Sequence, residues 1–132
     1  MFSVKEINYL RTQLLARIAT VSTALQPDVA PVGFDFDGTY FYVGGLAISR
    51  TLKYKNVQVN PKLSLVIDDL ETSDPWMPRG VKTHGTADLV SHEGYMGVGT
   101  YIRITPTAKW SWGIEAPTFQ EGQPQYNTDN QV

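Results

Sequence analysis

The dipeptide Asp37-Gly38 lies between two runs that alternate apolar and polar residues, Val29 to Phe36 and Thr39 to Val43. Asp-Gly in that setting is a strong short-range hairpin signal, because glycine accepts the backbone angles that a tight turn between twisted strands requires. The chain is therefore committed to antiparallel β pairing within its first third. The return strand, Thr-Tyr-Phe-Tyr-Val, is rich in aromatic and β-branched residues, which fit a pleated surface.

The same period recurs elsewhere. Leu15 to Thr23 alternates and reads as a strand, with a turn over 24–27. Leu63 to Ile67 is a short apolar strand that ends in Asp68-Asp69, and 70–80 reads as a loop. Val81 to Val90 is a further strand, with Gly85 placed for a bulge. Residues 91–100 are glycine-rich and read as irregular. Tyr101 to Ile104 and Ala108 to Trp112 form a last pair of strands or one broken strand. From Glu115 onward aliphatic residues almost vanish, and 115–132 reads as a flexible tail outside a domain of 1–114.

Two segments break the β pattern. Ser3-Val4-Lys5-Glu6 is a capping box, and Val4, Ile7, Leu10 and Leu14 follow at helical spacing, which predicts a helix over about 3–14. A second helix is predicted over about 49–58, stopped by Asn60-Pro61. Six strands and two short helices, joined mostly by hairpins, predict a barrel or sandwich. A helix between the third and fourth strands would plug one end or bridge two halves.

At 132 residues the chain is one domain with room for a real core. Its formal net charge of −2 gives no global field for nucleic acid or an anionic membrane. The absence of cysteine excludes thiolate chemistry, disulfides and cysteine-ligated metals, and fits a reducing, cytoplasmic setting. The N-terminus lacks the order of a signal peptide, and no apolar run approaches the ~20 residues of a membrane span. His84 and His92 do not have metal-site spacing, so no metal is expected.

Chemistry concentrates around the second helix. Gly44-Gly45 ends a strand, Ser49 and Thr51 bring hydroxyls to the helix start, and Arg50, Lys53 and Lys55 add positive charge. Unpaired N–H groups, helix dipole, hydroxyls and cations together suit an anion, phosphate above all. The competing reading is a solvated basic face with Ser49 or Thr51 as a plain N-cap. Neither the phosphate-binding loop with its Gly-Lys-Ser/Thr ending nor the dinucleotide glycine fingerprint is present; Gly97-Val98-Gly99 lacks the third glycine. Trp76, Trp110 and Trp112 either fill a core or interface or close a pocket.

Taken in order, several segments resemble one family. They are Arg17-Ile-Ala-Thr-Val21, Gln26 to Phe34, Asp37-Gly38, Tyr40-Phe-Tyr-Val43, Thr51-Leu-Lys53, Asn56 and Asn60 to Val66. The chain resembles the pyridoxamine 5'-phosphate oxidase-like, split-barrel flavin-binding family. Asp74 to Gly80, Gly85 to Asp88, Ile102 to Pro106 and Trp110 to Gly113 resemble more closely its branch of probable coenzyme F-420 (deazaflavin)-dependent enzymes. The resemblance covers about residues 5–114.

It implies a six-stranded split barrel that forms a homodimer, with FMN or the deazaflavin in clefts between subunits. Thr51 and Lys53 match the family's phosphate-holding Ser/Thr and Lys, flanked by Ser49 and Arg50. Ala30, Pro31, Val32 and Gly33 match the strand whose backbone lies along the ring system, and Tyr42, Val43 and Gly44 the next strand of the cleft. Trp112, with Trp76 and Arg79, is placed to close the pocket from the other subunit. The implied function is an oxidoreductase that moves a hydride to or from a small organic substrate, its hard chemistry carried by the cofactor. The alternatives are a flavin or deazaflavin carrier or sensor, and a haem-binding relative ligated by His84, His92, Tyr or Met. The chain departs from the oxidase itself: Ala30 stands where that enzyme places an arginine on the cofactor, and its C-terminal substrate-binding segment has no counterpart. Vitamin-phosphate oxidation is therefore not implied.

Overall fold

The computed structural model describes residues 1–120, together with the backbone of 123–124 and 127–130. The chain runs α1 (Val4–Arg11), β1 (Leu15–Val21), β2 (Pro27–Gly33), β3 (Asp35–Phe36) and β4 (Phe41–Val43). A 3-10 turn (Ile48–Arg50) and α2 (Leu52–Val59) follow, then β5 (Lys62–Thr72), β6 (Met77–Gly94) and β7 (Gly97–Trp112). Phe119–Gln120 (β8) pairs with Gln123–Pro124 (β9), and Asn127–Asn130 (β10) lies antiparallel along β7. Within the segment read as a tail, 121, 122, 125, 126, 131 and 132 lie outside the described residues.

The sheet path is β2-β1-β5-β6-β7-β4-β3, antiparallel throughout. Seven segments replace the expected six strands, and the reason is local. β2 and β3 are one run of chain interrupted only by Phe34, its first part paired with β1 and its last two residues with β4. The two ends of the path thus meet at Phe34, and the sheet returns on itself.

Inward side chains fill the interior: Ala16 and Ile18, Phe41 and Val43, Leu65 and Ile67, Val81, Ile102 and Ile104. Thr51 caps α2, and the helix docks on β1 through Val57 in the core and a buried hydrogen bond from Asn56 to Thr20.

Further expectations need correcting. The first helix stops at Arg11, because Thr12 takes the C-cap and donates its hydroxyl to the Tyr9 carbonyl; Leu14 is left exposed. The loop expected at 70–80 is mostly strand, with Asp69 opposite Arg79 and their ion pair holding the two strands together. The region 91–100 is the tip of a hairpin in which Gly94 pairs with Gly97 around Tyr95-Met96. Glycines at 94, 97 and 99 remove the side chains that would have shown a period of two.

The bulge expected at Gly85 is present: His84 pairs with Ala108 and Gly85 with Pro106, which leaves Thr107 unmatched. Pro106 has no N–H to give the ladder, so an irregularity belongs there. At Gly85 a Cβ would meet Ile104 Cγ2 at 2.8 Å and the Thr105 carbonyl at 2.9 Å.

Candidate functional site

β2 ends at Gly33 and β4 ends just before Gly44, and the structure brings these two ends together. The bridge is Tyr95, at the tip of the β6–β7 hairpin. Its hydroxyl accepts from the Gly44 N–H at 2.9 Å and lies 2.8 Å from each of the Gly33 and Gly44 carbonyl oxygens. Burial pushes this phenol above its ordinary pKa, so it stays protonated and able to donate near neutrality.

The hairpin tip is fixed from behind as well. Asp35 accepts from the Tyr95 N–H at 2.9 Å, and His92 Nε2 stands 3.7 Å from the same carboxylate. The His92 ring stacks on Tyr42, centroids 3.8 Å apart and 5° from parallel, and meets Tyr101 edge-on. Tyr101 is buried, donates to the Gly97 carbonyl and accepts from the Met96 N–H; a Cβ at Gly44 would collide with its ring.

Between this tip and the start of α2 lies a cleft of about 240 Å³, lined by Ala47, Ser49, Tyr54, Met96, Val98 and Tyr101 among others. Ala47 is in the left-handed region (φ 54, ψ 42), which costs a non-glycine residue ~1–2 kcal/mol. Thr51 Oγ1 accepts from the Tyr54 N–H and donates to the Ile48 carbonyl, so Thr51 is the N-cap of α2. Ser49 sits one turn earlier, in the 3-10 segment. The cap leaves the first helical N–H groups, those of Leu52 and Lys53, unpaired within the helix. Arg50, Lys53 and Lys55 take part in no ion pair among the described residues.

Of the residues proposed for the ring, the structure brings Gly33 and Gly44 together at Tyr95. Val32 and Val43 point into the core and Ala30 packs against it, so β2 and β4 offer a ligand their backbone and the face that carries Pro31 and Gly33 on one strand and Tyr42 and Gly44 on the other. Trp76, Arg79 and Trp112 lie elsewhere. Gly80 pairs with Trp112 at one end of the long hairpin and Gly94 with Gly97 at the other, roughly 45 Å of extended chain apart. Arg79 is held by Asp69 at 2.8 and 3.0 Å and lies over the Tyr9 ring, Trp76 is 63% exposed, and Trp112 covers Gly80. Within one chain these three do not reach the cleft.

A larger groove of about 490 Å³ crosses β1, β5 and β6, with Lys62 and His84 among its lining. Sequence reasoning offered only His84 there, as a haem ligand in the alternative reading. It missed Tyr95 and Asp35, and it considered His92 only as a metal or haem ligand, not as the stacking partner of Tyr42. The only available signal was an aromatic flanked by glycines, which reads as a turn.

Among the described residues no group of three or more His, Cys, Asp or Glu side chains could hold a metal ion. No described helix is long and apolar enough to cross a membrane.

Residues 4–105 match the family model described as pyridoxamine 5'-phosphate oxidase. The chain belongs to that family. The match bears out the resemblance drawn from the sequence. A 5a,11a-dehydrotetracycline/5a,11a-dehydrooxytetracycline reductase from Streptomyces rimosus is 37% identical over 121 residues, covering 86% of this chain and 84% of the relative. Among solved structures, the conserved hypothetical protein Rv2991 from Mycobacterium tuberculosis superposes with a TM-score of 0.68 at 21% identity, over 86% of each chain. An F420 reductase superposes with a TM-score of 0.58 at 21% identity, over 74% of this chain and 89% of its own. These structures share the fold, which is that of the split barrel.

Proposed function

We propose that the protein is a reductase that binds FMN or a deazaflavin and delivers a hydride to a small, electron-poor organic substrate. The observation that carries this reading is a cleft lined by Gly45, next to the Gly44 that Tyr95 joins to Gly33, and by Ser49 on the approach to α2. Backbone groups for a flat ring and a cationic helix start for a phosphate are adjacent there. The family match and the reductase relative support it. The relative's name further suggests a dehydro compound as substrate, one with a double bond to be reduced.

The residues fit such a cofactor. Lys53, Arg50, Ser49 and the first N–H groups of α2 would hold the phosphate, and the chain at Gly33 and Gly44 would meet the ring edge. When bound, the cofactor supplies the hydride. The protein supplies position, with Met96, Val98 and Tyr101 lining the cleft on the hairpin side.

A 240 Å³ cleft is below the usual range of ~300–1,000 Å³ for ligand sites. We take the missing wall from a second copy, whose Trp76, Arg79 and Trp112 lie at the far end of its own hairpin. The test is titration of purified protein with FMN, deazaflavin and riboflavin, followed by absorption and fluorescence. Both phosphate-bearing cofactors are expected to bind more tightly than riboflavin. Binding of none of them overturns the reading. Tight binding without faster reoxidation by any of a broad panel of acceptors assigns a carrier instead.

A further inference from the structure

We propose that the Tyr95 hydroxyl is a built-in stand-in for the edge of the cofactor ring, exchanged for that edge on binding. The inference rests on the cofactor reading above. The hydroxyl meets one N–H and two C=O groups of Gly33 and Gly44, at 2.8–2.9 Å. A phenol has one hydrogen, so it donates to one carbonyl and leaves the other facing oxygen lone pairs. The three backbone groups are therefore not all satisfied by Tyr95.

A lactam edge, with an N–H beside a C=O, offers the same pairing of one donor and one acceptor. Its C=O accepts from the Gly44 N–H and its N–H donates to a carbonyl. The pyrimidine edge of a flavin or deazaflavin is such a lactam. The Tyr95 ring also occupies space on this strand: a Cβ at Gly33 would stand 3.1 Å from Tyr95 Cε2. A flat ring lying along Ala30 to Gly33 must displace it.

The displacement is mechanically simple. Tyr95 belongs to a two-residue turn between Gly94 and Gly97, and it is 40% exposed. Gly97 has φ 82, a region that side chains rarely adopt. Tyr95 can leave its backbone partners while His92 on Tyr42 and Tyr101 on Gly97 still hold the rest of the hairpin.

The experiment compares the parent with Tyr95→Phe and Tyr95→Ala, each checked for unchanged thermal unfolding. FMN association is followed by stopped-flow fluorescence, with N3-methylated FMN as a probe that lacks the lactam N–H. Amide exchange at Gly44 is read by NMR without ligand. Tyr95→Phe removes the bonds but keeps the ring, and is expected to bind FMN about tenfold faster and more tightly than the parent. Its Gly44 amide is expected to exchange faster. N3-methyl-FMN should bind more weakly than FMN to all three proteins.

Equal FMN rates and affinities in the parent and both variants overturn the exchange. Equal Gly44 protection in the ligand-free parent and Tyr95→Phe overturns the latch itself. Equal affinity for FMN and its N3-methyl form overturns the lactam assignment. A parent that binds neither FMN nor deazaflavin overturns the cofactor reading, and this proposal with it, which separates the two failures.

Discussion

The Glu6 carboxylate is hydrogen-bonded to the Lys109 ammonium and to the Ser111 hydroxyl, and both charged residues are buried. This contact fixes α1 on β7. It forms because Ser3 and Glu6 close the capping box, which holds the carboxylate at the start of the helix facing the sheet. Removing one partner of such a pair strands the other in a dry place. Glu6→Ala is therefore expected to cost about 3–5 kcal/mol, and replacing Glu6 and Lys109 together by apolar residues much less. Denaturant unfolding of the two singles and the double checks it; additive losses would show the pair to be uncoupled.

The same carboxylate sets an acid limit. Burial pushes Glu6 up, but the hydrogen bonds from Lys109, Ser111 and Ser3 outweigh it and hold the carboxyl below its ordinary range. Asp69 is also held low, by the Arg79 guanidinium first and then by the Tyr9 hydroxyl. A carboxyl that is more acidic folded than unfolded stabilises the fold above its unfolded pKa, near 4 for both residues in free chains (about 3.9–4.3). That contribution is lost as pH falls through the lowered folded values. Melting temperature should therefore hold from neutrality to roughly pH 5 and drop below about pH 4. In Glu6→Gln the drop should be shallower. An identical acid slope in that variant would assign it to other groups.

The phosphate reading predicts a ligand-specific loss. A charge-assisted bond contributes ~1.5–3 kcal/mol, so Lys53→Ala should weaken FMN binding by roughly tenfold to a hundredfold and leave riboflavin unchanged. Thr51 behaves differently, because its hydroxyl already caps α2. Thr51→Ala should cost ~1 kcal/mol of stability as well as affinity, whereas Thr51→Ser should keep both. Equal losses for FMN and riboflavin in Lys53→Ala would mean that the lysine acts through the fold.

Much of this architecture was readable from residue order, because the signals were local. Ser3 with Glu6, Asp37 with Gly38 and the alternation through Ile18 and Thr20 each act within a few residues, and each formed as expected. What could not be read is where local rules say nothing. The split at Phe34 is visible only once β4 is known to pair with β7. Tyr95 reaches Gly33 and Gly44 across 62 and 51 residues, and no spacing in the sequence announces that. The second helix begins at Leu52, later than the spacing predicts, because Ser49 and Thr51 are both capping residues. The extended backbone at Thr51 (φ −86, ψ 154) decides between them and separates the 3-10 turn from α2.

The bulge makes its own prediction. At Gly85 a Cβ has Ile104 Cγ2 and a backbone carbonyl within 3 Å, and the carbonyl cannot step aside. Gly85→Ala should cost about 1–3 kcal/mol through overpacking, although alanine is a small residue. Gly99 has nothing within 4 Å of such a Cβ, so Gly99→Ala should be nearly silent. Thermal unfolding of the two variants side by side is the check, and equal melting temperatures would contradict the packing at β6–β7.

The last prediction concerns the missing wall of the cleft. Trp76 and Lys53 serve one cofactor only if the tryptophan comes from a second copy, since within a chain Trp76 lies beyond the far end of the long hairpin. Light scattering at micromolar concentration should therefore give twice the mass of the chain. Lys53→Ala and Trp76→Ala homodimers should each bind FMN weakly, both of their sites being defective. Trp76 is 63% exposed, so its truncation leaves the fold of the chain intact. Mixing the two variants under conditions that let subunits exchange yields heterodimers with one site intact and one doubly defective. Tight FMN binding should then reappear at a fraction of the sites. Recovery is the signature of a shared site, because no rearrangement within a single chain restores a missing lysine or tryptophan. A mixture that stays as weak as its components, in a sample shown by mass to contain heterodimers, places Trp76 outside the cofactor site and leaves the cleft to be completed by the chain's own hairpin.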